Sequence, residues 1–184
     1  MRSVIYRISL ALALLALAVP GAQPAATSRA AVPDFSGHWK FHADKSAALA
    51  REAKEQASPV FGESCIITQT AELLSLQIAI DTLKLEAIYR LDGKPSLNRS
   101  PGSRGQPEIP IISTTRWVRD TLEVSTRSES DVRGATVPVT SLRKMWLTAV
   151  GDLAVDRHGT PSEVVSSAWS VYERVKADTR VVTR

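Results

Sequence analysis

From Leu83 to Leu91 every second residue, Leu83, Leu85, Ala87, Tyr89 and Leu91, is apolar, and Lys84, Glu86 and Arg90 fall between them. A β-strand turns successive side chains to opposite faces, so this period of two marks a strand with one face buried, whereas a helix would need a period near 3.6. The same rhythm sets Phe35, Gly37, Trp39 and Phe41 against Ser36, His38, Lys40 and His42. It returns in Leu74, Leu76, Ile78 and Ile80, and in Leu122, Val124 and Thr126 set against Glu123 and Ser125. Between these runs stand short polar breaks, Ala71-Glu72, Asp81-Thr82, Asp92-Gly93, Arg119-Asp120 and Gly151-Asp152, of which Asp-Gly is a strong turn signal. Strands joined by such short turns pair antiparallel with their neighbours. A long open meander would leave bare edges, and closure removes them. The pattern therefore predicts an all-β chain, an antiparallel up-and-down meander barrel of about 8–10 strands.

Strands are expected over Ser64–Thr70, Leu73–Ile80, Leu83–Leu91, Ile111–Val118 and Thr121–Arg127. Further strands are expected around Met145-Trp146-Leu147, briefly over Leu153–Asp156, and from about Val164 to Val175. One short helix near the N-terminus interrupts the series, capped by Asp44 or Ser46 and running to about Ala57, with Pro59 beyond it. Its apolar stripe of Leu49, Ala50, Ala53 and Ala57 is thin, which suits a cover over the barrel mouth better than half of a core. Lys94 to Pro110, rich in proline and glycine, is expected as a long loop, and Ser128 to Gly134 as a polar turn.

Arg2 and Arg7 flank a charge-free run from Ile8 to Val19, followed by Pro20, Gly21 and small residues. This reads as a signal peptide over 1–22, with cleavage as late as 31. The run is shorter than the roughly 20 residues that span a bilayer as a helix, so no transmembrane anchor is expected in the mature chain. The protein is expected to be exported, periplasmic or secreted. Residues 23–33 read as a flexible tail, 34–176 as a single domain and 177–184 as a C-terminal tail. The formal charge is +4, of which Arg2 and Arg7 supply two, and the remaining charges are interspersed, which argues against a nucleic-acid partner. Cys65 is the only cysteine, so no internal disulfide is available, and between Ser64 and Ile66 it reads as a buried apolar strand residue.

Gly37-His38-Trp39, on the first strand, resembles the Gly-x-Trp motif of the lipocalin-like, or calycin, group of small barrels. A wider set of residues is similar to exported bacterial lipocalin-like proteins of uncharacterised function. It comprises Asp34-Phe35-Ser36 ahead of the motif, Asp44-Lys45-Ser46, Ile67-Thr68-Gln69, Tyr89-x-Leu91-Asp92-Gly93, Trp117-x-x-Asp120-x-Leu122-x-Val124 and Val171-Tyr172-Glu173-Arg174. The resemblance runs from Asp34 to about Val175. It implies that Trp39 packs at the closed end of the barrel against a basic residue of the last strand, here Arg174 or Lys176. It also implies a small hydrophobic or amphipathic molecule as the barrel's partner.

No catalytic, cofactor or metal motif stands out. His38 and His42, four residues apart on a strand, would lie about 13 Å from each other, too far to share an ion. Asp152, Asp156 and His158 lie between Gly151 and Gly159 and read as solvated turn residues with no accompanying nucleophile. The residues expected to face a ligand are Trp39, Leu76, Ile78, Leu85, Tyr89, Trp117, Val124, Trp146, Tyr172 and Arg174. Arg116, Arg143 and Arg174 are the candidates for a carboxylate or phosphate head group. The alternative is a filled barrel serving as an envelope or extracellular interaction module, with interior side chains simply occupying the space. A protein partner is not specified by the sequence.

Overall fold

A computed structural model of the chain describes residues 32–80, 83–101, 108–132, 134–162 and 164–176. The proposed signal peptide and the C-terminal tail lie outside the described residues. Within them the chain forms β1 (Gly37–Phe41), α1 (Ala43–Ala53), β2 (Ser64–Gln69), β3 (Leu73–Ile80), β4 (Leu83–Arg90), β5 (Ser96–Ser100), β6 (Ile109–Val118), β7 (Thr121–Val132), β8 (Ala135–Leu147), β9 (Leu153–Thr160) and β10 (Ala168–Arg174). These ten strands make one antiparallel sheet in the order β4-β3-β2-β1-β10-β9-β8-β7-β6-β5. Sequence neighbours pair everywhere except between β4 and β5, and β1 joins β10, so the meander wraps into a nearly closed barrel compatible with a lipocalin-like one.

The two free edges meet at β4 and β5, and side chains close the seam where the backbone ladder stops. The Asn98 amide does what a neighbouring backbone would do: its oxygen accepts from the Ile88 N–H at 2.7 Å, and its nitrogen donates to the Ile88 carbonyl at 3.0 Å. Ser96 Oγ accepts from the Arg90 N–H at 2.7 Å, and the Thr115 hydroxyl donates to the Arg90 carbonyl. Backbone groups that would otherwise be bare on an edge strand are thereby satisfied.

Alternation places Trp39, Cys65, Ile67, Leu74, Leu76, Tyr89, Leu122, Val124, Met145, Leu153, Val155 and Tyr172 in one buried interior cluster. One end of the barrel is shut. Phe35 stacks on Trp117 with ring centroids 5.7 Å apart, and Trp39 Nε1 donates to the Phe35 carbonyl at 2.9 Å. Arg174 lies over the Trp39 ring at 4.6 Å and donates to the Ser36 carbonyl at 2.6 Å. A Cβ on Gly37 would sit 3.2 Å from the Arg174 guanidinium, so the glycine of the motif leaves room for that stack.

Several boundaries differ from the sequence expectation. Ser96–Ser100 of the expected Lys94–Pro110 loop form β5, because Ser96 and Asn98 satisfy the edge of β4 while β6 supplies a ladder. The polar residues of Ser128–Gly134 continue β7 as far as Val132, paired through to β8. The helix begins at His42, whose Nδ1 accepts from the Lys45 N–H at 3.3 Å, in place of Asp44 or Ser46. It ends at Ala53 because Lys54 turns left-handed, and the next residues are drawn along β10, with Trp169 N–H donating to the Gln56 carbonyl at 2.9 Å. Nor does α1 lie over the mouth. It packs beside β10, where Ser46 Oγ accepts from the Val171 N–H at 2.8 Å in the place β1 vacates after Phe41. Lys45 pins the helix to Asp152 at 2.7 Å and Glu173 at 2.6 Å.

Candidate functional site

The chain after α1 enters the barrel. Ser58 N–H donates to the Trp169 carbonyl at 3.0 Å, Val60 N–H to Ser170 Oγ at 2.9 Å and Phe61 N–H to the Tyr172 hydroxyl oxygen at 2.7 Å. Ser170 and Tyr172 point inward, so Phe61 plugs the middle of the barrel, stacked on Tyr172 at 5.9 Å and 1% exposed. Burial pushes the Tyr172 hydroxyl above its ordinary pKa, so it stays protonated in this place. Between the plug and the shut end the interior is packed.

The other end is not filled. A cavity of about 150 Å³ lies behind the seam, lined by Leu76, Ile78, Leu85, Tyr89, Ile111 and Arg143 among others. A second, of about 230 Å³, opens at the mouth between Val60, Val139, Val165, Ile111, Arg143 and Arg157. The two share Ile111 and Arg143 as a common wall. A larger hollow of about 500 Å³ draws most of its lining from the outward residues His38, Ile66, Gln77, Ala79, Lys84 and Glu86, so it belongs to the outer wall.

Arg143 stands at the centre of the open end. Its guanidinium lies 5.6 Å from the Tyr89 ring and 6.0 Å from the Phe61 ring, and its Nη2 donates to Thr126 Oγ1 at 3.4 Å. The strand register sets Arg157 directly opposite it on β9. Arg157 donates to the Ser166 carbonyl at 3.1 Å and to its hydroxyl at 3.3 Å. Burial, then the nearby Arg143 charge, lowers the pKa of Arg157. Neither arginine has an acidic partner among the described residues. Ser141 and the hydrogen-bonded pair Ser113 and Thr126, 3.1 Å apart, continue the polar strip inside.

The residues read from the sequence divide among three places. Leu76, Ile78, Leu85 and Tyr89 converge on the smaller cavity. Trp39, Val124 and Tyr172 are fully buried in the core, and Trp117 is stacked on Phe35 at the shut end, where Arg174 also sits. Trp146 follows the inward Met145 and so faces out, meeting Trp169 edge to face at 5.7 Å. Of the three head-group candidates, only Arg143 faces the cavities. Arg116 points outward and pairs with Glu123 at 2.6 Å, and Arg174 is spent on Trp39 and Ser36.

Arg157 is not among the sequence candidates, because Gly159 marks Asp156 to Gly159 as a turn. Extending β9 through Thr160 puts Arg157 in phase with Leu153 and Val155, and that phase was the available signal. The same extension corrects Asp156 and His158, which are strand residues on the outer face. Asp156 is 4% exposed, and burial raises its pKa. His158 Nε2 lies 2.7 Å from Asp156 Oδ1, and its Nδ1 lies 3.1 Å from Ser167 Oγ, so the imidazole ties β9 to the segment that precedes β10. No protein-family model matches this chain, and no curated protein matches it.

Proposed function

We propose that this is an exported barrel that takes up a small hydrophobic or amphipathic molecule at its open end, between the Phe61 plug and the mouth. The observation that carries the reading is the pair of adjoining cavities behind Ile111 and Arg143, beside the buried cluster that fills the barrel between Phe61 and the shut end. Their walls combine apolar side chains with a few convergent polar groups, as small-molecule sites do. Their volumes suit a compact ligand lying in the mouth. The basic start and apolar run before Pro20 support export.

Titration of the purified protein with the neutral probe N-phenyl-1-naphthylamine tests the reading. Saturable fluorescence enhancement at one site per chain is expected, with loss of the signal in Ile111→Trp, which fills the common wall while circular dichroism stays that of a β-barrel. Absence of saturable binding, or undiminished binding to Ile111→Trp, would overturn it. In that event the interaction-module reading gains, and the outward pair Leu97 and Ile112, 62% and 50% exposed and directly opposite each other on β5 and β6, would be the place to begin.

A further inference from the structure

Cross-strand neighbours of like charge repel, and a barrel interior, where the dielectric falls below that of water, strengthens the repulsion. Yet one inward row across this barrel runs Thr115, Val124, Arg143, Arg157 and Ala168, with the two arginines adjacent. Nothing in the packing requires a cation at either position, since the rest of the row is apolar or small. Both arginines are partly buried, and each guanidinium is held from its flanks, Arg143 by the Tyr89 and Phe61 rings and Arg157 by Ser166. These contacts fix both arginines beside the same cavity without neutralising either.

We infer that Arg143 and Arg157 together bind an oxyanion, the carboxylate or phosphate head of an amphipathic molecule whose apolar part lies against Ile111, Val139 and Val165. The inference rests on the reading of the open end as a ligand site. A planar guanidinium offers parallel N–H donors to such a group, and two of them supply the charge that an anion between them neutralises. Thr126 and Ser141 place hydroxyls at the same wall, further donors for the remaining oxygens.

Displacement of bound N-phenyl-1-naphthylamine by ligands of one chain length tests this: decanoate, decyl phosphate, decanol and methyl decanoate. At least one of the two anions should compete about tenfold or more better than the neutral pair, and which anion does so distinguishes a carboxylate from a phosphate ligand. Arg143→Gln and Arg157→Gln should each remove that preference while leaving competition by decanol in place, which also shows that the variants fold. Arg157→Lys should retain part of it, and Arg116→Gln, on the outer face, all of it. The unliganded Gln variants should melt no lower than the parent, because a repulsion has been removed, and decanoate or decyl phosphate should no longer raise their melting temperature. Equal competition by charged and neutral ligands would overturn the anion site while leaving the container reading intact. Failure of the probe to bind at all would overturn both.

Discussion

Replacing Trp39 by alanine removes the side chain on which the shut end is built. Trp39 is fully buried, and large-to-small changes of this kind cost about 3–5 kcal/mol in lost transfer energy and residual cavity. Two further losses follow from its contacts. The Phe35 carbonyl loses the indole N–H that donates to it at 2.9 Å, worth about 1 kcal/mol in a buried place. The Arg174 guanidinium loses the ring 4.6 Å beneath it, worth about 0.5–1 kcal/mol because Arg174 is exposed. These terms overlap, since relaxation of Phe35 and Trp117 refills part of the space, so about 4–5 kcal/mol is expected. At about 2–4 °C per kcal/mol for a chain of this size, the melting temperature should fall by roughly 10–20 °C. Urea melts of Trp39→Ala, Trp39→Phe and His38→Ala measure this directly. Trp39→Phe keeps most of the packing and should lose about 1–3 kcal/mol, whereas His38, exposed on the opposite face of the same strand, should lose less than about 0.5 kcal/mol. A loss below about 2 kcal/mol for Trp39→Ala, or an equal loss for His38→Ala, would refute the assignment of faces on β1.

Three more outcomes follow from the contacts. Asn98→Ala should open the seam, seen as much faster hydrogen exchange at the Ile88 amide while the β2 amides keep their protection; unchanged exchange at Ile88 would mean the seam is closed by something other than the Asn98 amide. Burial pushes the Cys65 thiol up to about 12, so it should resist a disulfide reagent at pH 8 in the native protein and react at once in denaturant. Stability should decline as pH drops from about 4, because bonds from Ser36, Arg90 and Lys45 hold the Asp34, Asp92 and Glu173 carboxyls below their ordinary pKa. The folded state binds those protons less readily than the unfolded one, so the stability these groups contribute is complete above the unfolded carboxylate range and drains away below it, with desolvated Asp156 acting in the opposite sense. Melting temperatures recorded from pH 6 to pH 2 would show the trend.

His42 illustrates how the same residue type reads differently in sequence and in space. On the strand pattern it is one more outward side chain, yet its Nδ1 caps α1 and its Nε2 lies 3.6 Å from Glu173. Capping depends on the backbone leaving the strand at that residue, which the alternation does not encode. The Lys94–Pro110 segment makes a related point. Composition marked it as irregular, and only the arrival of β4 beside it turned Ser96 and Asn98 into the staples of the seam.

The period-two pattern and the short polar turns by themselves determined that the chain is an antiparallel meander and which side chains of β1, β3, β4 and β7 face the core. Those are local properties, because strand alternation is set by backbone geometry and hairpin pairing by adjacent turns. The tertiary structure alone decided where the barrel closes, that Phe61 and not α1 enters it, and that Arg157 stands opposite Arg143. Each depends on registers accumulated over several strands, and a shift of one residue in β9 would have turned Arg157 to solvent and left Arg143 without its cross-strand arginine.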